Sequence, residues 1–438
     1  MRPLFATPTH PVLGSRSGPR RNPVDVAFDQ LARRATRDSH LHNTHVLLFE
    51  GGAPSLAAVR DHVARQAAAL PALAHIAHGR RWRQVTAADP CAHVHEIALA
   101  DRSGGRDLLL QAMLEQDLPP HGPRWGVWLV HGYADDEYAL CYRSHHGFQD
   151  ASAALYSVRA LFGTRGLDGI EPPKRDRLSL SAAARVVGDL ALAFLPAGRV
   201  AGLVPGSPGA RAVVQAEVDL RRLHALAGAT GRSINDVYLA VTAVAVGAWV
   251  SDEGVGQGQL HTCVPLDTRL RGETETGLGN KLGMARVRLS DLKDICTGSQ
   301  GTTGGVAAHS RTDAASRIRM PEYRAAMRHL LDLVPGPVGR WSVRHLLHPR
   351  HTAMVTSRVV YPKRLAFGGA PVIDAFVIPS LLPGHLCFST LSSLGSSAHV
   401  AFVADAALPG VDHLARRWTT ALTDLEGQRG LVAQQVPE

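Results

Sequence analysis

The chain has 438 residues, 45% of them hydrophobic, and a formal net charge of +9. That length exceeds one ordinary core and predicts two subdomains, while the apolar share is that of a soluble globular protein. The charge is scattered and arginine-borne, without a basic stripe interleaved with aromatics, so nucleic acid is excluded as the expected partner; an anionic substrate or a membrane surface is compatible with it.

Residues 1 to 22 are rich in Pro, Gly and Arg and are expected to be poorly ordered. Val24–Phe28 follows, then a polar turn at Arg37-Asp38-Ser39 and a strand over His45–Phe49. Leu56–Leu70 has helical apolar spacing and is closed by Pro71. Trp82–Val85 and His93–Ile97 read as strands. His93 and His95 would share a strand face, as metal ligands can, but no third ligand is in view and a surface strand is the expectation. A short helix is predicted over Leu108–Gln116. The strand Trp125–Val130 passes through an acidic turn to the strand Tyr138–Arg143.

Beyond a helix at Ser152–Leu161 comes a polar connector to Arg177, then apolar, helical Leu178–Val204. Arg185, Asp189, Pro196 and Arg199 break that segment, so a membrane span is excluded. Gly206–Gly209 is the predicted linker, which divides the chain into a 1–22 arm, an N-terminal subdomain 23–205 and a C-terminal subdomain 206–438. A strand over Val213–Leu220 and a helix to Ala227 precede Ser233, an N-cap for a long apolar helix, Val237–Val250. Strands follow at Thr262–Leu266 and Ala285–Leu289, with Leu278-Gly279-Asn280 between them. Thr297–Gly305 reads as connection, because it has no phosphate-loop Gly-Lys pattern. Helices near Arg319–Leu333 and Val338–Leu347, strands at Ala353–Val360, Leu365–Gly369, His385–Ser389 and His399–Asp405, and a helix over Val411–Leu425 complete the chain. The five cysteines are far apart and odd in number, which predicts reduced thiols and a cytoplasmic protein. The N-terminus shows no signal-peptide apolar run.

The stretch with chemical content is Ser144-His145-His146-Gly147-Phe148-Gln149-Asp150-Ala151. It places two histidines at a strand end and an aspartate at the start of a helix. A neutral imidazole is the side chain best matched to taking a proton from an alcohol or amine near neutral pH. Asn235-Asp236 opens the long apolar helix, where either side chain could orient a substrate carbonyl or merely cap the helix.

Taken together, these stretches resemble the wax ester synthase/diacylglycerol acyltransferase family, part of a wider group with peptide-synthetase condensation domains and CoA-dependent acyltransferases. His145-His146-Gly147-Phe148-Gln149-Asp150-Ala151 matches the family's His-His-x-x-x-Asp-Gly in all but the last place. Pro23–Phe28, Pro123-Arg124-Trp125, Asn235-Asp236-Val237, and Val264-Pro265-Leu266 with Leu278-Gly279-Asn280 are similar to its other motifs, in order, over about 23–427. Ala151 stands where the family has glycine. Thr356–Pro362 replaces the family's Ser-Asn-Val-Pro-Gly-Pro, and the middle of the chain is pared down.

The resemblance implies an α/β fold of two related CoA-dependent-acyltransferase-like subdomains in a V, with the active site in a tunnel between them. It implies acyl transfer from a thioester, either acyl-CoA or carrier-bound, to an alcohol or amine, with no cofactor and no metal. His146 would be the general base, and His145 a structural neighbour in preference to a direct participant. Asp150 would bond an arginine and shape the loop. Asn235 would stabilise the oxyanion or orient the base, with Asp236 beside it, and Gly279 and Asn280 would shape the tunnel. Besides the small-molecule donor and acceptor, the implied partners are an acyl carrier protein and, peripherally, a membrane. The competing readings are a condensation-type enzyme forming amides or esters in specialised metabolism, and a catalytically silent relative that binds a carrier or partner.

Overall fold

A computed structural model gives the fold of the chain and describes residues 18–85, 89–119, 121–164, 179–195, 209–255, 260–269, 277–292, 321–334 and 336–431. Two sheets dominate it. The first half supplies β1 (His42–Glu50), β2 (Val94–Ala98), β3 (Trp125–His131) and β4 (Glu137–His145). The second supplies β5 (Arg211–Asp219), β6 (His261–Asp267), β7 (Leu282–Arg288), β8 (Met354–Val360), β9 (Asp374–Ile378), β10 (Cys387–Leu394) and β11 (Ser397–Asp405). The first sheet has the order β9-β1-β4-β3-β2 and the second β5-β11-β10-β8-β6-β7. Thus β9, from the C-terminal half, completes the N-terminal sheet, pairing antiparallel with β1 so that Val377 lies opposite His45. An Asp374–His399 contact of 2.6 Å links this strand to β11 of the second sheet.

The helices are α1 (Pro23–Ala32), α2 (Leu56–Ala67), α3 (Gly105–Leu114), α4 (Ala151–Phe162), α5 (Leu180–Phe194), α6 (Leu220–Thr230), α7 (Ile234–Asp252), α8 (Pro321–Leu333), α9 (Gly336–Leu346) and α10 (Leu414–Gln428). Alternation along β1 explains the first layer. Leu47 and Phe49 pack with α2 and α4, whereas Val46 and Leu48 pack with α3. Both faces of the sheet are therefore covered. In the second layer α7 is buried nearly all round, its Tyr238, Val241, Val246 and Trp249 packing into a core shared with Trp418 of α10. By length and composition α7 alone among the described residues could cross a membrane, yet 67% of its apolar window lies inside the protein. It is a core helix.

The α/β fold and its two-sheet division agree with the sequence reading. His93 does not share a strand face with His95: it ends a short helix, is buried, bonds the Trp125 carbonyl through Nδ1 at 2.8 Å and stacks on the Trp125 ring. Residues 1–17, the segment Thr297–Gly305 and most of the predicted linker lie outside the described residues.

Candidate active site

The site is assembled where the end of β4 meets the 277–281 segment of the second half. Between His145 and Asp150 the chain turns from strand to helix, and every step of the turn is pinned. The Gly147 N–H donates to His145 Nδ1 at 2.9 Å. A Cβ on Gly147 would lie 2.3 Å from Asp29 Oδ1, so a side chain there would displace that carboxylate. The Gly279 N–H donates to the Phe148 carbonyl at 2.8 Å. Gln149 is fully buried, accepts from the Tyr142 hydroxyl at 2.6 Å and donates to Ser157 Oγ at 2.8 Å.

Asp150 is the N-cap of α4, its Oδ1 accepting from the Ala153 N–H at 2.9 Å. Its Oδ2 accepts from Arg269 Nη1 at 2.7 Å and from the Lys281 N–H at 2.8 Å. Arg269 also donates to the Gly279 carbonyl through Nη2 at 3.1 Å. One buried carboxylate thus caps a helix and ties the two halves together. Ala151 is the first residue of α4 and needs no positive φ, which among the described residues only glycines adopt. The family's glycine is therefore dispensable for the backbone at this position.

His146 is 7% exposed, and its ring stacks on Phe28 of α1 with centroids 3.7 Å apart. Its Nδ1 lies 3.1 Å from Asn280 Oδ1. The Asn280 amide cannot be turned round without loss. Its Nδ2 donates to the His146 carbonyl at 2.7 Å and to Asp25 Oδ1 at 2.9 Å. Oδ1 is then left to accept, so His146 carries its proton on Nδ1 and keeps a lone pair on Nε2. Asp25 also accepts the Asn280 backbone N–H at 2.7 Å and the Asn22 N–H at 2.9 Å. Burial pushes the His146 imidazole down to about 4 and the Asp25 carboxyl up to about 7. The imidazole is neutral at neutral pH.

Two cavities adjoin here. His146, Phe28, Asn43, His45 and the first turn of α4 contribute to one of about 130 Å³. Asn235, Tyr238 and Arg324 contribute to another of about 300 Å³. Pro265, Asp267, Ser357 and Arg358 form walls of both, so the two cavities adjoin. Asn235 accordingly stands in the cavity beyond the one that holds His146.

The remaining sequence candidates sit outside the cavity walls. Asp236 closes a capping box with Ser233 at the start of α7. His145 belongs to the far side of the turn, with Nε2 3.5 Å from Asp38 Oδ1 and its ring edge-on to His42. Gly279 has φ +75°, and a Cβ there would meet the Asp25 carboxylate at 3.2 Å. The sequence reading passed over Asp25, Arg269 and His45. Asp25 had a signal, since Asn22-Pro23-x-Asp25 is a capping box with proline at N1. Arg269 had none, because its partner lies 119 positions away.

Residues 22–207 match the family model described as the wax ester synthase/diacylglycerol acyltransferase catalytic domain. Over 94% of this chain and 100% of the relative, the sequence is 24% identical to a Mycobacterium tuberculosis (strain H37Rv) protein named "Putative diacyglycerol O-acyltransferase". The fold is similar to the wax ester synthase/diacylglycerol acyltransferase from Marinobacter aquaeolei VT8, with TM-score 0.61 and 20% identity over 94% of this chain and 100% of that one. It is similar as well to the first condensation domain of the CDA synthetase, with TM-score 0.62 and 15% identity over 94% and 97% of the two chains. Residues 22–207 therefore match the wax ester synthase/diacylglycerol acyltransferase catalytic domain, and the chain as a whole has the fold seen both in the Marinobacter aquaeolei VT8 protein and in condensation domains.

Proposed function

We propose that the chain transfers an acyl group from a thioester to a hydroxyl acceptor, with His146 as general base. The observation that carries this reading is the fixed tautomer of His146. A neutral imidazole with Nδ1–H bonded to Asn280 presents Nε2 as the proton acceptor at the wall of an internal cavity. Nε2 removes the acceptor's hydroxyl proton as the oxygen attacks the thioester carbonyl. The tetrahedral intermediate collapses and expels the thiolate, which takes the proton back from Nε2. Ester and free thiol leave, and the base is restored. Cys141, Cys263 and Cys387 are buried and held above the usual thiol range by that burial, which is no setting for a nucleophilic thiolate.

A second reading has one observation in its favour. Two of the residues that replace the family's late motif, Ser357 and Arg358, are walls of both cavities. A polar acceptor, such as an amine or a hydroxylated small molecule of specialised metabolism, suits those walls better than a bare hydrocarbon does.

The test is product analysis. The purified protein is given a panel of acyl-CoA donors with alcohol and amine acceptors, products are identified by mass spectrometry and free CoA is measured beside them. His146→Ala should lower turnover by roughly 10²–10⁴-fold, the share usual for a general base. A variant that keeps more than about a tenth of wild-type CoA release would remove His146 from that role. Absence of any new ester or amide with wild-type protein would leave a binding function in its place.

A further inference from the structure

The wall of the His146 cavity contains a second imidazole that the proposed chemistry does not use. His45 lies in the middle of β1, is 0% exposed and contributes to the same cavity as His146. Its tautomer is fixed from behind. Nδ1 lies 2.8 Å from the Tyr361 hydroxyl, whose own proton goes to the Phe376 carbonyl at 3.0 Å. Tyr361 can then only accept from His45, so the imidazole proton is on Nδ1 and Nε2 is an acceptor. Burial pushes the ring down to about 3, so Nε2 stays unprotonated across the neutral range. No described group donates to it.

A buried acceptor left without a donor weighs against folding, because its hydration is lost and nothing replaces it. The acceptor has a use if the cavity's occupant supplies the donor. The surroundings agree. Asn43 lies two residues before His45 on the same face of β1, and its Oδ1 is already taken by the Ser380 N–H at 3.0 Å. Thr390 and Ser357, also of this wall, bond one another at 2.8 Å and have one hydroxyl proton left between them. His45 Nε2 is the acceptor in this group that has no hydrogen bond at all among the described residues.

We propose that His45 is a substrate-binding residue whose Nε2 accepts a hydrogen bond from a hydroxyl or amide N–H of the bound substrate, other than the hydroxyl that reacts. The proposal rests on the acyl-transfer reading of the cavity. Two sources carry that chemistry: a second hydroxyl on the acyl acceptor, or an amide N–H of the thioester's pantetheine arm.

The experiment has an arm for each. In the acceptor arm, 1,2-dodecanediol is compared with 1-dodecanol, using one acyl-CoA as donor. In the donor arm, the same acyl group is presented on N-acetylcysteamine, which has an amide N–H, and on ethanethiol, which has none. Wild-type protein should favour the donor-bearing member of one pair by about tenfold in kcat/KM. His45→Phe should bring that ratio close to one, mainly through KM, and His45→Gln, which keeps an acceptor, should hold part of it. His45→Phe with Tyr361→Phe removes both ends of the supporting bond and serves if the single variant is unstable. An unchanged ratio in both arms, or an equal slowing of all substrates by His45→Phe, overturns the proposal. Turnover by wild-type protein, lost in His146→Ala, reads the underlying acyl-transfer assignment separately. If no pair turns over, calorimetric affinities for the diol and the mono-ol with wild-type and His45→Phe protein decide the binding claim.

Discussion

His146 owes its position to residues far from its own motif in the chain. Asn280 fixes which nitrogen carries the proton, and Asp25 fixes Asn280 by accepting from both its backbone and side-chain N–H groups. Removing the amide frees the imidazole to take the wrong tautomer. Asn280→Ala is therefore expected to lower kcat about tenfold to hundredfold, the usual scale for an outer partner that orients a working imidazole, with KM changed far less. Asp25→Asn should have a smaller effect of the same kind. Because Asp25 is held near 7, it should also remove any inflection that the carboxyl contributes to the kcat/KM profile near that pH. Stopped assays from pH 5.5 to 8.5 on the three proteins check this. An Asp25→Asn enzyme with wild-type kcat and profile, but a lower melting temperature, would reduce Asp25 to a helix cap.

At the scale of elements, what was legible was what is local. The strand, turn and helix around 138–162, and the capped helix opening at Ser233, follow from alternation, helical spacing and capping side chains. What was missed is non-local. Asp374–Ile378 gave no strand signal that distinguished it from its surroundings, and it is a strand because β1 offers an edge to pair with. The ion pair of Asp150 with Arg269 is likewise a product of the fold. Both side chains are almost fully buried, at 0% and 3% exposed, and the carboxylate also receives the Ala153 and Lys281 N–H groups. Truncating the cation strands a buried anion. Arg269→Ala is expected to destabilise the protein by about 3–5 kcal/mol, read as a drop in urea midpoint, and to lower activity with it. Arg269→Lys should recover only part of that, since one ammonium is poorly shaped to replace a planar fork that reaches both Asp150 and the Gly279 carbonyl. A midpoint within the error of wild type for Arg269→Ala would show that the cross-link is not what joins the two halves.

For the molecule as a whole, buried histidines set the response to acid. Burial pushes His45 to about 3 and both His146 and His385 to about 4. Unfolded histidines titrate near 6.5, so between about pH 4 and 6.5 the unfolded chain binds the protons that the folded one refuses. Stability then rises with pH through that window, at about 1.4 kcal/mol per group and pH unit, and levels off above it. Asp25 works the other way. The folded state holds its proton up to about 7 while the unfolded state releases it near 4, so this one group lowers stability as pH rises between those values. Burial lowers His40 and His42 as well, so the histidines outweigh the one carboxyl and leave a net rise from pH 4 to 6.5. Urea midpoints across pH 4.5 to 7.5 measure it, and a flat profile would mean that these imidazoles are charged in the folded state.

Several exposed apolar side chains gather on one surface. The apolar segment predicted at 178–204 is described over α5, and its outward face is bare: Leu180, Val187, Leu192 and Leu195 are 82%, 52%, 61% and 55% exposed. Phe194 at its end stacks on Trp341 of α9, itself 53% exposed, so the two helices present one apolar surface. Arg185 is exposed on the same helix, and the chain is basic overall, at +9. An interfacial contact needs this combination of apolar side chains to enter the headgroup boundary and cations to meet anionic lipid. Each well-placed arginine contributes about 1 kcal/mol, screened over about 8 Å at physiological ionic strength. The protein should therefore float with liposomes containing phosphatidylserine at low salt, float less at high salt, and float poorly with phosphatidylcholine alone. Leu192→Glu with Trp341→Ser should abolish flotation while leaving the fold intact, because neither side chain is buried. Failure to float with anionic lipid at low salt would make this surface an ordinary apolar patch. The substrates would then be sought among water-soluble acceptors, where the polar walls at Ser357 and Arg358 already lean.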